Sequence, residues 1–167
     1  VDAMIPAGSS VTDICCGTAR LYRSFLREKD CAYLGLDANG HFIMSTKRMG
    51  IPSKLHDASA DPIEPADYVV MCNSFYHFYD EKEDLLDRMR AAARKAVILS
   101  EPVRNMSSHG FGPLARLSNW LTNPGIGDYT RRFDPESFRR FAEKGGAAEF
   151  HYEDGDRNAI AVFKGRN

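Results

Sequence analysis

The chain has 167 residues, enough for one domain whose core needs neither disulfides nor metals as staples. Its 22 basic and 23 acidic side chains leave a net charge of -1, without the basic excess that a nucleic-acid binder usually shows. No apolar run approaches the roughly 18 to 20 residues of a membrane helix, and the first residues lack the basic start of a signal peptide, so a cytoplasmic protein that contacts no membrane is expected.

Short apolar runs alternate with amphipathic stretches along the chain. Residues 10–15 (SVTDIC) read as a strand, and 18–29 as a helix with Leu21, Tyr22, Phe25 and Leu26 at helical spacing. Residues 32–37 (AYLGLD) read as a second strand, 40–49 as a helix and 54–57 as a short third strand. Residues 66–72 (ADYVVMC) form a near-continuous apolar run, the mark of a strand buried on both faces. A helix follows over 80–94, with Leu85, Leu86 and Met89 on one face, and then a buried strand over 96–100. Residues 101–130 break the rhythm with Gly and Pro. Asp134 as N-cap and Pro135 at N1 then open a helix that Gly145 and Gly146 end. The last stretch reads as a hairpin, with strands over 147–152 and 158–164.

Strands alternating with helices imply parallel β-α-β units. The expected fold class is α/β: a doubly wound, mostly parallel, seven-stranded sheet with a C-terminal antiparallel hairpin. Residues 1–167 are read as one domain. The chain opens on Val1 rather than Met, as expected of a processed or trimmed chain. The four cysteines, Cys15, Cys16, Cys31 and Cys72, show neither CxxC pairing nor zinc-site spacing to His, so no metal is expected. They read as buried thiols in a reducing compartment, with a reactive thiol at Cys15 or Cys16 as the alternative.

In an open α/β sheet the ligand sits at the carboxyl ends of the strands, where strand order reverses. The first strand-to-helix turn, residues 13–20 (DICCGTAR), is therefore the place to look. Gly17 there lets a ligand approach the backbone closely.

This turn resembles the first motif of the class I S-adenosylmethionine-dependent methyltransferases, acidic-x-Gly-x-Gly-x-Gly. The chain has Asp13-x-Cys15-x-Gly17-x-Ala19, with the acidic residue and central glycine kept and small residues in place of both flanking glycines. The resemblance implies a Rossmann-like fold, S-adenosylmethionine as cofactor, S-adenosylhomocysteine as product and methyl transfer to a small-molecule acceptor. It implies that Asp13, Cys15, Gly17 and Thr18 cradle the cofactor. Asp37, ending strand two 20 residues beyond Gly17 with Ala38 beside it, would accept the ribose hydroxyls; taken alone, it could equally cap the next helix. Asp57 and Ala58 would hold adenine, or Asp57 would simply form a turn. Asn73 and Phe75 would face the cofactor near its sulfonium, which aromatic faces attract; the aromatic residues here are also expected to pack the helix onto the sheet, Phe78 above all. The family usually places covering helices before strand one, and only about nine residues precede it here.

His77 and Tyr76 are the candidate catalytic residues, with Glu101 and His109 as further titratable groups near strand ends. A structural role is the other reading of His77. Residues 102–132 are expected to form a cap over the acceptor, with His109, Trp120, Tyr129 and Arg131 as substrate-binding candidates. Arg131 or Arg132 would bind a carboxylate or phosphate, or would simply be solvated. Two further readings compete: a binder of the same cofactor that has lost catalysis, and a nicotinamide oxidoreductase, for which the GxGxxG fingerprint supplies only one glycine.

Overall fold

The structure, a computed structural model, describes residues 1–104, 131–153 and 155–166. One seven-stranded sheet runs through it in the order β3-β2-β1-β4-β5-β7-β6. The strands are β1 (Ser10–Ile14), β2 (Ala32–Asp37), β3 (Ser53–Leu55), β4 (Ala66–Cys72), β5 (Ala93–Pro102), β6 (Glu149–Glu153) and β7 (Asn158–Lys164). Strands β1 to β5 pair in parallel, and β7 runs antiparallel to both β5 and β6. The expected architecture, including the terminal hairpin, is the observed one.

The strands read as apolar runs because both faces of the sheet are covered. Side chains alternate across the pleat. Val69, Met71, Val97 and Leu99 pack into one core with Leu85, Leu86 and Met89 of α2 (Lys82–Ala92) and Phe138 and Phe141 of α3 (Pro135–Lys144). Val70 and Ile98 point the other way, into a second core with Ile5, Leu26 and Ile160. A third helix, α1 (Gly40–Arg48), packs on β2 and β3.

Local signals explain the element ends. The Asp134 carboxylate accepts the N–H groups of Glu136 and Ser137 at 2.9 and 2.8 Å, and the Ser137 hydroxyl accepts the Asp134 N–H, a complete capping box. At the other end of α3, Gly146 takes φ 72°, and Ala147 N–H reaches back to the Ala142 carbonyl at 2.9 Å. The stretch after β1 departs from the expected regular helix. It tightens and loosens within one run, with a π-helical turn at Tyr22–Leu26 and a 3-10 turn at Arg27–Lys29. Strand β3 is shorter than expected and stops at Leu55, so Asp57 sits in the turn beyond it. Strand β5 is longer and carries Glu101 inside it.

β1 lies between β2 and β4, so successive connections leave it in opposite directions. That opens a crevice at the carboxyl edge of the sheet beside β1.

Candidate active site

The site begins where β1 ends. Cys15, Gly17 and Ala19 all take left-handed backbone, at φ 56°, 54° and 54°. Such backbone is nearly free for glycine and strained for residues with a Cβ. The chain therefore keeps the sharp path of the expected motif, with Cys15 and Ala19 bearing strain of about 1 kcal/mol each. A Cβ built at Gly17 would meet nothing within 4 Å, so this residue faces open space.

Asp37 ends β2 next to that turn. Its Oδ2 accepts the Gly17 N–H at 2.8 Å and its Oδ1 accepts the Asn39 N–H at 2.8 Å. The cap of α1 is Asn39, whose side chain accepts the His41 N–H at 2.9 Å, so Asp37 is not the helix cap. Burial raises the pKa of Asp37, and the two amides oppose that rise.

Asp57 and Ala58 follow β3. The His56 N–H bonds the Asp37 carbonyl at 3.0 Å, which ties this segment to the end of β2. The Asp57 Oδ1 accepts the Ser59 N–H at 2.9 Å, while Asp61 accepts the Asp57 N–H at 2.9 Å. A carboxylate offers about four acceptor positions, so Asp37 and Asp57 both keep capacity for a ligand.

Asp13 is buried on β1, and its Oδ2 accepts the Tyr33 hydroxyl at 2.8 Å. Burial pushes its pKa up to about 7; the Tyr33 bond works against this and the charge of Asp37 adds to it. Glu101 is completely buried, and its Oε1 accepts the Phe75 N–H at 2.6 Å. Its Oε2 has no hydrogen-bond partner among the described residues. Burial pushes the Glu101 pKa up to about 8. The Cys15 thiol is pushed well above its ordinary range, by burial first and then by Asp37, Asp13 and Glu101. It therefore sits within electrostatic reach of three buried acids.

A cleft of about 330 Å³ at this edge is lined by Asp13, Cys15, Cys16, Arg20, Cys72 and Asn73, among others. Asn73 has left-handed backbone, φ 59°, and its N–H bonds the Ser100 carbonyl at 2.7 Å. Thr18 is exposed beside Gly17, and Ala38 is half-buried beside Asp37.

Phe75 takes the packing role that was one of its two expected uses. It is fully buried and packs on Phe141 and Phe133, with ring centroids 5.3 and 6.0 Å away. Its ring is a core element, packed against α3 and Phe133. Tyr76 stays half-buried, with the Arg132 guanidinium over its ring at 4.2 Å. His77 is held down to about 4 by burial and by Arg132, so it is neutral at neutral pH and a weak base. Arg131 is exposed and pairs with Asp80 at 2.5 Å. His109, Trp120 and Tyr129, and most of the expected cap, lie outside the described residues. Among the described residues no group of His, Cys, Asp and Glu is arranged to hold a metal, and no helix is long and apolar enough to cross a membrane.

One contributor was hard to see in the sequence: Tyr33, the partner of Asp13, looks like any strand aromatic. Glu101, already a titratable candidate, proves to lie buried inside β5 rather than after it.

Among curated proteins none matches this chain. Several solved structures share the fold. A TehB-like SAM-dependent methyltransferase from Corynebacterium glutamicum aligns over 99% of this chain and 84% of its own, with 20% identity and a TM-score of 0.65. The magnesium protoporphyrin IX methyltransferase of Synechocystis, with SAH bound, aligns over 98% and 77%, with 14% identity and a TM-score of 0.67. An O-methyltransferase family 2 protein from Planctomyces limnophilus, in complex with apigenin, aligns over 99% and 55%, with 14% identity and a TM-score of 0.63. The family model described as a methyltransferase domain matches residues 12–98, from within β1 to within β5. That match covers the Asp13–Gly17 turn, both carboxylates that follow it and the Asn73 loop, and with it the chain belongs to the methyltransferase domain family.

Proposed function

We propose that this methyltransferase takes its methyl group from S-adenosylmethionine, releases S-adenosylhomocysteine and delivers the group to a small-molecule acceptor. One observation carries the reading of the donor: Asp13, Asp37 and Glu101, all buried, surround the Cys15 turn at the carboxyl edge of the sheet. Arg132 is the cation felt by Glu101 and Tyr76, and Arg20 lines the cleft. No basic side chain among the described residues pairs with Asp13 or Asp37, and buried acids of that kind suit a cationic ligand. A sulfonium with an ammonium group is such a ligand.

In this reading Asp37 holds the ribose, Asp57 and Ala58 hold adenine, and Asp13, Cys15, Gly17, Thr18 and Asn73 enclose the amino-acid end. Methyl transfer is an in-line displacement at an already activated carbon. Alignment alone contributes up to roughly 7 to 11 kcal/mol. His77 and Tyr76 then orient the acceptor, and the low proton affinity of His77 favours acceptors that need no strong base. The small-molecule acceptor is supported by the absence of a net basic charge and by the modest cleft. It is further supported by the likeness to enzymes whose structures hold or are named for small molecules.

The test is a thermal-shift panel of S-adenosylmethionine, S-adenosylhomocysteine and NADH. Either adenosyl ligand at 100 times its Kd should add about 2.7 kcal/mol of stability, with no NADH response. An NADH shift without an adenosyl shift would sink the reading. Transfer of labelled methyl groups to a small-molecule panel then separates an enzyme from a binder that has lost catalysis.

A further inference from the structure

We infer that Arg88, half-buried on α2, is a positioning residue that clamps the 57–61 turn into the shape that reads the adenine base of the methyl donor. This rests on the adenosyl site proposed above.

Arg88 reaches across from α2 to a turn some 30 residues earlier in the chain. Its Nη1 donates to the carbonyls of Ala58 at 2.6 Å and Ser59 at 3.1 Å, and its Nη2 donates to the Asp61 carbonyl at 2.5 Å. The described hydrogen bonds of this guanidinium therefore all end on main-chain oxygens of one short turn. A rigid planar fork with several donors suits that task, and a lysine ammonium does not reproduce it.

The turn needs such a clamp. Ser59, Ala60 and Asp61 are exposed, and only Ala58 is buried against the core. Inside the turn, Ala60 and Asp61 N–H both bond the Asp57 carbonyl, at 3.1 and 2.8 Å. The Asp57 carboxylate and the Asp61 carboxylate each cap a turn amide. These bonds fix the turn internally but do not dock it on the sheet. The His56–Asp37 bond ties the start of the segment to β2, and Arg88 docks the turn itself onto α2, which is packed on β4 and β5 through Leu85, Leu86 and Met89. The Asp57 carboxylate and the Ala58 N–H are the two groups that would meet the base. Their placement must hold to within about 0.5 Å for hydrogen-bond selection.

Arg90 provides an internal comparison. It lies on the same helix and also donates to main-chain carbonyls, those of Lys164 and Gly145, both at 3.1 Å, but far from this turn. Arg90→Ala should therefore reveal the effect of losing a guanidinium clamp of similar kind without touching adenine recognition.

The experiment titrates wild type, Arg88→Ala, Arg88→Lys and Arg90→Ala by calorimetry with two ligands. One is S-adenosylhomocysteine. The other is S-inosylhomocysteine, which carries an oxygen in place of the 6-amino group. Wild type should prefer the adenosyl compound. Arg88→Ala should weaken S-adenosylhomocysteine roughly tenfold and bring the preference between the two ligands towards one. Arg88→Lys should fall between, and Arg90→Ala should keep both affinities whatever its melting temperature. Unchanged affinity and preference in Arg88→Ala would overturn the inference. Equal weakening of both ligands, which a merely structural role produces, would overturn it as well. A wild type that binds neither compound would instead overturn the adenosyl-site reading, and the inference with it.

Discussion

The Asp37 carboxylate accepts the main-chain N–H of Gly17 at 2.8 Å across 20 residues of sequence. The glycine turn after β1 and the acid ending β2 are thus one hydrogen-bonded unit. The same carboxylate fixes the Asn39 N–H, so removing it loosens the turn, the start of α1 and the proposed ribose site together.

Asp37→Ala should therefore lower affinity for S-adenosylmethionine by at least about 100-fold, the scale of losing two charge-assisted hydrogen bonds. Calorimetry on the variant and wild type measures it. A loss below about threefold would detach Asp37 from the ribose.

A Cβ at Gly35 would lie 2.7 Å from the Cys16 Sγ and 3.1 Å from the Tyr33 hydroxyl oxygen. Gly35→Ala should therefore disturb the Tyr33–Asp13 bond and cost about 1 to 3 kcal/mol of stability. Adding Cys16→Ala removes the nearer obstacle, so the double variant should be more stable than Gly35→Ala alone. Denaturant unfolding of wild type, Gly35→Ala, Cys16→Ala and the double variant completes the cycle, and simple additivity would contradict the packing described here.

Most of the architecture was legible because both faces of the sheet are covered, which turns β4 and β5 into apolar runs that cannot be mistaken. The helix start at Asp134 was equally clear, since its capping box is local. What escaped detection was non-local. The Tyr33–Asp13 bond links residues on adjacent strands, and Arg88 reaches the 57–61 turn through space, so neither leaves a pattern along the chain. The packing of Phe75 is non-local too: an aromatic residue after β4 can serve the cleft or the core, and its partners here, Phe133 and Phe141, lie some 60 residues on.

Glu101 makes stability depend on pH in a defined direction. Its folded pKa is raised to about 8, so the folded state holds a proton that the unfolded state has already released. Stability from this group is complete below the unfolded value, near 4.5, and is lost as pH rises towards about 8. Glu101→Gln should flatten the decline between about pH 5 and 8, by up to roughly 1.4 kcal/mol per pH unit. Melting curves of both proteins across that range provide the check. Parallel curves would contradict the buried state of this acid.

Donor and product should differ in their pH response. A sulfonium favours the ionised forms of Asp13 and Glu101, whose pKa values stand at about 7 and about 8. S-adenosylmethionine should therefore release protons on binding near pH 7, and its affinity relative to S-adenosylhomocysteine should rise from pH 6 to 9. Calorimetry in buffers of different ionisation enthalpy detects the protons. Identical pH profiles for the two ligands would rule out the acids as partners of the sulfonium.

The most direct measurement is a crystal structure of the protein with S-adenosylhomocysteine. The expected result has the ribose hydroxyls within about 2.6 to 3.2 Å of Asp37 and the adenine edge against Asp57 and the Ala58 N–H. A ligand bound elsewhere, or a crevice left empty at saturating concentration, would contradict it.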